Sequence, residues 1–229
     1  MGILANALVI ALGGLVGSKM KKGFSESSFR NLGICIVIVS LVGFFENIYN
    51  VKEGTLNSGS LTIVLMAFIL GSKAGEMLHM EDKFSNFGKS DNAAFNAVLD
   101  AFLYFGIGGL QICGPIALAT QGDNSQLLLK SVIDIPFAVM FGATYGKVVS
   151  LSAIPVALVQ VVIALAAWGL GSFFTDEVIS QLCSVGFIIL FFSGFNLFVR
   201  DNKQKVSNLN MLPGVIMILL FHGVKELIL

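Results

Sequence analysis

The chain has 229 residues, of which 55% are hydrophobic and only 12% are charged, and its formal net charge is zero. A soluble domain carries about twice that charged fraction, and a chain without net charge has no general attraction to nucleic acid. The composition therefore excludes a soluble globular domain and a nucleic-acid-binding protein. It predicts an integral membrane protein in contact with the lipid bilayer.

About eight apolar runs follow one another along the chain, separated by short connections. Most approach the ~20 residues that a helix needs to cross a hydrocarbon layer of about 30 Å. Because backbone polar groups in lipid must bond one another, each run is predicted to be a helix. The sequence predicts an all-α, polytopic transmembrane bundle of about eight helices in a single membrane domain, residues 1–229. The runs cover residues 3–19, 31–48, 58–78, 93–118, 127–149, 151–174, 178–199 and 209–229.

Basic residues are concentrated in the connections that follow the odd-numbered runs. Eleven lie in or beside those connections, against two, Lys52 and Lys130, in the even-numbered ones. The positive-inside rule then makes the odd connections cytoplasmic, and an even number of crossings places both termini outside the cytoplasm. The eleven residues are Lys19, Lys21, Lys22, Arg30, Lys73, Lys83, Lys89, Lys147, Arg200, Lys203 and Lys205.

The beginning and the end of the chain resemble each other in sequence. Three separate matches share nearly one offset, 153 residues twice and 152 residues once. They define a first copy in residues 1–78 (helices 1–3) and a second in 151–229 (helices 6–8), with central helices in 93–149. Five crossings separate the first helices of the copies, so the repeat is predicted to be inverted, as in many secondary transporters. The matched positions are Leu8–Leu12 with Val161–Leu165, Gly33 and Ser40 with Gly186 and Ser193, and Gly71 and Lys73 with Gly223 and Lys225.

Glycines in several runs occur in pairs one helical turn apart, which lets helix backbones approach closely. Packing within the bundle is the preferred interpretation of these pairs, and a homodimer interface is the alternative. In the fourth run, glycines crowd between Gly106 and Gly114, directly before Pro115. Glycine and proline weaken a helix, so we expect an unwound or kinked segment there, at a place where transporters bind ions and substrates. The pairs are Gly13 with Gly17, Gly71 with Gly75, and Gly142 with Gly146.

Asp134 is the candidate binding residue on which the functional argument mainly depends, and it lies seven residues into the fifth apolar run. Lys130 precedes it by one helical turn on the same face. An intramembrane carboxylate costs several kcal/mol unless it is paired or hydrated. Two interpretations stay open: a satisfied Lys130–Asp134 ion pair, or a proton or cation site from which Lys130 turns away toward the helix end. Pro136 lacks an N–H group and leaves an upstream carbonyl available beside the carboxylate.

Several other polar groups in the runs are candidates for the same binding site. Glu76 is one, and Asn6, Gln160 and Asn210 add neutral groups that can donate and accept hydrogen bonds. Gly114 is a candidate because it belongs to the predicted break in the fourth run.

Signatures of an enzyme, a cofactor or a metal are missing from the sequence. His79 and His222 are far apart, and neither belongs to an H-E-x-x-H motif. Gly88-Lys89-Ser90 resembles the end of a phosphate-binding loop, but the first glycine of that motif is replaced by Lys83. The three cysteines show no C-x-x-C pairing that would suggest a zinc site. We therefore expect no enzymatic activity, no cofactor and no metal.

Further motifs of small and polar residues are distributed over nearly the whole chain. They are Asn6-Ala7, Gly75-Glu76, Gly122-Asp123, Lys130-Ser131 with Asp134, Ser152, Pro155, Gln160, and Asn210-Met211-Leu212-Pro213. This pattern resembles the bacterial YdfK/YqgA-like integral membrane proteins, a family of unknown function. The resemblance implies a bacterial inner-membrane location and adds Asp123 and Ser131 to the candidate site residues. It supplies no mechanism.

Two functional hypotheses of different classes follow. The first is a secondary transporter or channel for a small solute or ion, with its site near the fourth and fifth runs. The second is a non-transporting membrane protein, either a scaffold that binds a partner or a small intramembrane enzyme. The inverted repeat, the glycine-rich break and the intramembrane carboxylate favour the first hypothesis.

Overall fold

The computed structural model describes residues 1–20, 25–50, 54–85, 88–106, 108–199 and 204–228. These ranges are helical apart from turns and one hairpin of two-residue strands. The elements are α1 (Gly2–Ser18), α2 (Glu26–Ile48), β1 (Tyr49–Asn50), β2 (Thr55–Leu56), α3 (Ser58–Met77), α4 (Met80–Ser85), α5 (Ala93–Gly106), α6 (Gly109–Gln121), α7 (Ser125–Tyr145), a 3-10 helix (Lys147–Ser152), α8 (Ala153–Gly169), a 3-10 helix (Gly171–Phe173), α9 (Asp176–Phe198), α10 (Asn208–Met211) and α11 (Pro213–Ile228). The basic residues Lys21, Lys22, Lys52, Arg200 and Lys203 lie outside the described ranges.

Five of the described helices are long and apolar enough to cross a membrane, or six if α5 and α6 form one bent span. They are α2, α3, α7, α9 and the continuous helical stretch Lys147–Gly169, while α1 and α10–α11 are shorter apolar helices. The predicted all-α helical bundle is confirmed. The number of eight helices stays a prediction.

The chain divides into two compact units, and each unit contains segments from both halves of the sequence. The first unit comprises Met1–Glu26 and Asn86–Gly171, and the second comprises Ser27–Ser85 and Ser172–Leu229. The first therefore holds α1 and α5–α8, and the second holds nearly all of α2 together with α3, α4 and α9–α11. The single domain over residues 1–229 stays a prediction.

In the first unit, α1 and α7 lie parallel and in close contact along a row of small residues. A Cβ atom added at Gly13 would lie 2.5 Å from Ala138 Cβ. A side chain at Gly17 would overlap the carbonyl oxygen of Val139, and one at Gly142 would overlap the backbone of α1. Only glycine permits this separation of the two backbones. The packing interpretation of these glycines agrees with the structure.

Two joints interrupt the helices of the first unit. Helices α5 and α6 are bent by 62° relative to each other, and the interruption falls between Gly106 and Gly109. Pro115, at which we expected part of the kink, lies inside α6. The second joint is Gly146, which has a φ angle of 81° and joins α7 to the 3-10 helix. That positive φ favours glycine, and it allows a tight turn between the two helical segments.

In the second unit, the helices pack as antiparallel pairs that are also close at glycines. Along α2 and α9, Gly33 lies against the backbone of Gly194, and Gly43 lies against the ring of Phe187. Along α3 and the C-terminal helices, the paired positions are Gly71 with Gly214 and Gly75 with Asn210. Chain numbers rise on one helix as they fall on its partner, so both pairs are antiparallel.

The distribution of side chains on α1 is the reverse of that in a soluble protein. Its exposed residues include Leu4, Leu8 and Leu12, and its buried residues include Asn6 and several glycines. Helix α8 repeats the pattern, with exposed leucine, isoleucine and tryptophan and a buried glutamine. Large apolar side chains outside and small or polar ones inside are what lipid favours. These helices are built to contact a bilayer.

Candidate functional site

Five buried side chains in the first unit form a continuous hydrogen-bonded series, here called the polar chain. The Lys130 ammonium donates to Asp134 Oδ2 at 2.6 Å, and Asn6 Nδ2 donates to the same oxygen at 2.7 Å. Gln160 Nε2 donates to Asn6 Oδ1 at 2.9 Å and to Gln111 Oε1 at 2.8 Å. The series ends where Gln111 Nε2 donates to the carbonyl of Val156 at 3.2 Å.

Four helices supply the polar chain, and the packing of the first unit brings them together. Lys130 and Asp134 lie one turn apart on α7, Asn6 lies on α1, Gln111 on α6 and Gln160 on α8. The glycine contacts between α1 and α7 hold those two helices at the separation that lets Asn6 reach Asp134 directly. Gly114 allows α6 to approach α7, since a Cβ atom there would lie 3.0 Å from the side chain of Leu127.

All five side chains of the polar chain are removed from the surface of the structure. Asn6, Gln111 and Gln160 are 0% exposed, Asp134 is 5% exposed and Lys130 is 6% exposed. Desolvation of the two charges costs several kcal/mol each, and the ion pair repays that cost only with good geometry and additional hydrogen bonds. The 2.6 Å ion pair and the Asn6 hydrogen bond meet that requirement at one oxygen of Asp134.

The two ends of the polar chain fix the orientation of every amide between them. The Asp134 carboxylate accepts, so Asn6 must present its Nδ2 group there and its Oδ1 atom to Gln160. The Val156 carbonyl also accepts, so Gln111 presents its Nε2 group there and its Oε1 atom to Gln160. Gln160 must therefore donate both of its N–H groups. Its Oε1 atom takes part in neither of these two hydrogen bonds.

That oxygen, Gln160 Oε1, is buried without a hydrogen-bond partner among the described residues. Four other buried side-chain polar atoms share this property, but their residues, Ser72, Gln126, Ser150 and Asn208, are only partly buried. Leaving a buried acceptor unsatisfied costs about 1–3 kcal/mol. Both hydrogen bonds that reach Asp134 from the described residues end on Oδ2. The polar chain thus offers two oxygens, Gln160 Oε1 and Asp134 Oδ1, to a further donor or cation.

The structure brings together four of the nine residues that the sequence singled out: Asp134, Lys130, Asn6 and Gln160. Gly114 lies at the α6–α7 contact, where it affects the spacing of the helices. Ser131 donates its hydroxyl to the Leu127 carbonyl at 2.7 Å, within its own helix. Asp123 accepts from the backbone N–H of Ser125 at 2.8 Å, at the turn before α7.

Glu76 and Asn210 belong to the second unit and have local partners there. Glu76 pairs with Lys73 at 3.2 Å, and both side chains are more than half exposed. Asn210 Oδ1 accepts from the backbone N–H of Glu81 at 3.3 Å. These contacts connect neighbouring segments of the second unit.

Gln111 belongs to the polar chain but was not singled out from the sequence. Its position was visible in the sequence, because it lies two residues after Gly109, the first residue of α6, and three residues before the Gly114-Pro115 pair. Pro115 has no N–H group to donate to the backbone carbonyl of Gln111, four residues earlier. A polar side chain beside a weakened helical turn in an apolar run is a signal that could have identified it.

A second buried cluster surrounds Gln181 in the second unit. Gln181 Nε2 donates to Ser60 Oγ at 3.2 Å and to Glu177 Oε1 at 3.1 Å. His222 Nε2 lies 2.8 Å from Gln181 Oε1, and because that oxygen can only accept, Nε2 carries the hydrogen. Ser60, Gln181 and His222 are buried, whereas Glu177 is exposed. Every polar atom of the Gln181 amide is therefore hydrogen-bonded.

Neither cluster is a metal site of the usual kind. Among the described residues, no group of three or more His, Cys, Asp and Glu side chains is close enough to hold a metal ion. The polar chain contains a single carboxylate, and its other oxygens come from neutral amides. Its chemistry suits a proton, a small cation or a hydrogen-bonding solute.

Comparison with known proteins identifies relatives along the whole chain. An uncharacterized membrane protein of Bacillus subtilis (strain 168), YdfK, is 26% identical over 223 residues, which cover 94% of this chain and 92% of YdfK. An uncharacterized protein of Escherichia coli (strain K12), YqgA, is 22% identical over 239 residues, covering 95% of this chain and 94% of YqgA. No solved structure matches the chain.

The resemblance found in the sequence motifs is confirmed by a family model. Residues 1–222 match the family described as protein of unknown function (DUF554). Together with the apolar helices and the membrane-protein relative, this match identifies a multi-pass membrane protein. The chain belongs to the DUF554 family.

Proposed function

We propose that the chain is a secondary transporter or channel for a small solute or ion across the bacterial inner membrane, and that the polar chain is its binding site. The proposal assigns the chain no catalytic activity. The observation that carries it is the buried Lys130–Asp134 pair, which is hydrogen-bonded to a series of three amides that includes an oxygen without a partner among the described residues. Intramembrane charges are costly and typically mark ion or substrate pathways.

The location of the polar chain supports the proposal. Gln111 lies at the start of α6, directly after the 62° bend between α5 and α6. Interrupted helices at membrane depth are tolerated where they line a cavity or are buried in protein. In transporters they provide the binding site.

The packing of equivalent helices supports the inverted repeat that the proposal includes. If a two-fold axis in the membrane plane relates residues 1–78 to residues 151–229, each helix of the first copy runs in the opposite direction to its counterpart in the second. Helix α1 meets α8 where Asn6 contacts Gln160, α2 meets α9 at Gly33 and Gly194, and α3 meets α11 at Gly71 and Gly214. The α2–α9 and α3–α11 pairs are antiparallel. Superposition of an experimental structure of each copy on the other, after a half-turn, would test the repeat.

A non-transporting role, as a scaffold that binds a partner or as a small intramembrane enzyme, is the alternative. The observation in its favour is the completed ion pair, because Lys130 already neutralises Asp134 at 2.6 Å. A purely structural role would require no partner of Asp134 other than Lys130. In the structure Asp134 also accepts from Asn6, which links it to the rest of the polar chain.

The proposal is tested by solute flux in proteoliposomes. Purified protein is reconstituted, and flux of monovalent cations, inorganic anions and amino acids is compared with that of protein-free vesicles. We expect flux of at least one of these solutes, and at least a tenfold loss of it in Asp134→Asn, since an amide cannot neutralise a cation. Asp100→Asn is the matched control, because Asp100 is an exposed carboxylate on α5.

Two results would overturn the proposal. One is the absence of flux above protein-free vesicles for every solute class. The other is full flux in Asp134→Asn, which would leave the carboxylate with a structural role alone.

A further inference from the structure

The free atoms of the polar chain indicate what kind of ligand it binds. Among the described residues, Gln160 Oε1 has no hydrogen-bond partner and Asp134 Oδ1 receives no hydrogen bond. Both atoms are acceptors. We propose that the polar chain binds a small monovalent cation, an alkali metal ion or ammonium, and that this cation competes with the Lys130 ammonium for Asp134. This inference rests on the proposed function, since it names the ligand class of the same site.

The charge of the site favours a single positive charge. Asp134 is the only carboxylate in the polar chain, and the three amides are neutral. Divalent cations with oxygen ligands typically use several carboxylates, and the described residues contain no acidic cluster of that kind. An anion would lie beside the Asp134 carboxylate and would be repelled by it. One positive charge balances one carboxylate.

Lys130 already provides one positive charge, so a second one would be unbalanced while Lys130 stays in place. A cation can therefore bind Asp134 only when the ammonium withdraws. Lys130 lies five residues after the start of α7 at Ser125, which corresponds to about 7.5 Å along the helix axis. Its long flexible side chain can extend toward the helix end and place the ammonium in a polar environment. Asp134, one turn deeper and with a short side chain, cannot follow.

The site thus has two balanced arrangements. In one, seen in this structure, the ammonium lies 2.6 Å from Asp134 Oδ2. In the other, the ion takes the position of the ammonium with the Asp134 carboxylate as its ligand, and Lys130 turns outward. The two arrangements exclude each other because a buried uncompensated charge is costly. Lys130 acts as a tethered competitor of the cation.

Competition predicts the sign of the effect of removing Lys130. If Lys130 were a ligand for the transported solute, its removal would weaken binding. If it competes, its removal leaves Asp134 without a counter-ion and strengthens cation binding. The apparent dissociation constant is raised by the inverse of the fraction of molecules whose site is free. A Lys130 that occupies the site about nine-tenths of the time therefore weakens cation binding about tenfold.

The experiment measures the thermal unfolding midpoint of the full chain in detergent as Na⁺, K⁺ or NH₄⁺ chloride replaces N-methyl-D-glucamine chloride at constant ionic strength. We expect Lys130→Met to be stabilised by at least one of these ions, with a half-saturating concentration at least tenfold below that of the unsubstituted protein. Asp134→Asn should lose the response. Lys73→Gln, which breaks the exposed Lys73–Glu76 pair, is the matched control and should respond like the unsubstituted protein.

Lys130→Gln provides the same measurement if Lys130→Met does not fold, because its amide can still donate to Asp134. An unchanged or weakened ion response in either folded variant would overturn the inference. A response to pH alone, with none to the three ions, would overturn it too and would assign the site to a proton. If flux in proteoliposomes depends on Asp134 while no cation stabilises these variants, the cation inference fails and the proposed function stands.

Discussion

Each unit contains a fully buried glutamine that donates both of its amide N–H groups, and the two side chains differ at the amide oxygen. Gln181 Oε1 lies 2.8 Å from the ring nitrogen of His222, whereas Gln160 Oε1 has no partner among the described residues. A satisfied buried amide stabilises a unique packing arrangement, and an unsatisfied one keeps a desolvation cost. This difference makes the polar chain the better candidate for a ligand site, because the hydrogen bonds of the Gln181 amide are complete without a ligand and those of the Gln160 amide are not.

The strongest test of this comparison is to place a carboxylate at each position. Gln160→Glu would place a buried negative charge against Asn6 Oδ1 and Gln111 Oε1. Neither amide can flip to present its N–H group instead, because it would lose its hydrogen bond to Asp134 or to the Val156 carbonyl. We expect a loss of about 3–5 kcal/mol in the free energy of unfolding, as for a buried charge without a partner. Denaturant titration in detergent micelles measures it.

Gln181→Glu is the matched control for that substitution. Its carboxylate can accept from His222 Nε2 and from the Ser60 hydroxyl, and the exposed Glu177 carboxylate, which would be repelled, can turn toward its exposed side, so we expect a loss of only about 1–3 kcal/mol. Equal losses in the two variants would show that the orientation of the amides in the polar chain is not fixed as described.

A second test creates an unsatisfied amide oxygen in the second unit, like that of Gln160 in the first unit. His222→Phe removes the donor to Gln181 Oε1, and we expect a loss of about 1–3 kcal/mol from the unpaired acceptor. His222→Gln keeps a donor near the same place and should lose less. If His222→Phe unfolds at the same denaturant concentration as the unsubstituted protein, an unpaired amide oxygen costs nothing in this bundle. The unpaired oxygen of Gln160 would then carry no implication for a ligand.

The smallest expected effect concerns Ser60. Ser60→Ala removes one of the two acceptors of Gln181 Nε2, while the exposed Glu177 carboxylate stays bonded to that nitrogen. We expect a loss of about 1 kcal/mol or less in the free energy of unfolding. A loss above about 3 kcal/mol would mean that the Gln181 cluster is strongly cooperative, which the comparison with the polar chain does not assume.

The sequence predicted those parts of the site that are close in the chain. Lys130 and Asp134 are one turn apart, so helical periodicity placed them on one face, and the cost of an intramembrane charge marked Asp134 as a candidate while leaving the position of Lys130 open. Asn6 and Gln160 are separated by 154 residues. Their proximity depends on how α1 and α8 pack, and a single sequence gives no direct measure of that packing.

The sequence could not predict which polar groups share a site. Glu76 and Asn210 were grouped with Asp134 because all three lie in or beside apolar runs. The structure instead gives Glu76 the nearby Lys73 as its partner, and Asn210 the backbone of Glu81. Local sequence gives the type of a residue and its depth in a run, whereas the direction in which it points depends on the neighbouring helices. Gln111 differs, because its place beside a helical turn weakened by Pro115 was visible in the sequence and was not used.

The close packing of α1 and α7 makes us expect the two helices to move as one rigid body. The two backbones are so close that a side chain at Gly17 or Gly142 would overlap the opposite helix, and this contact opposes sliding of one helix along the other. Asn6 and Asp134 therefore travel together in any working motion of the first unit. The close packing continues past Gly146, because a side chain at Gly14 would also overlap Ser150, which lies just before α8.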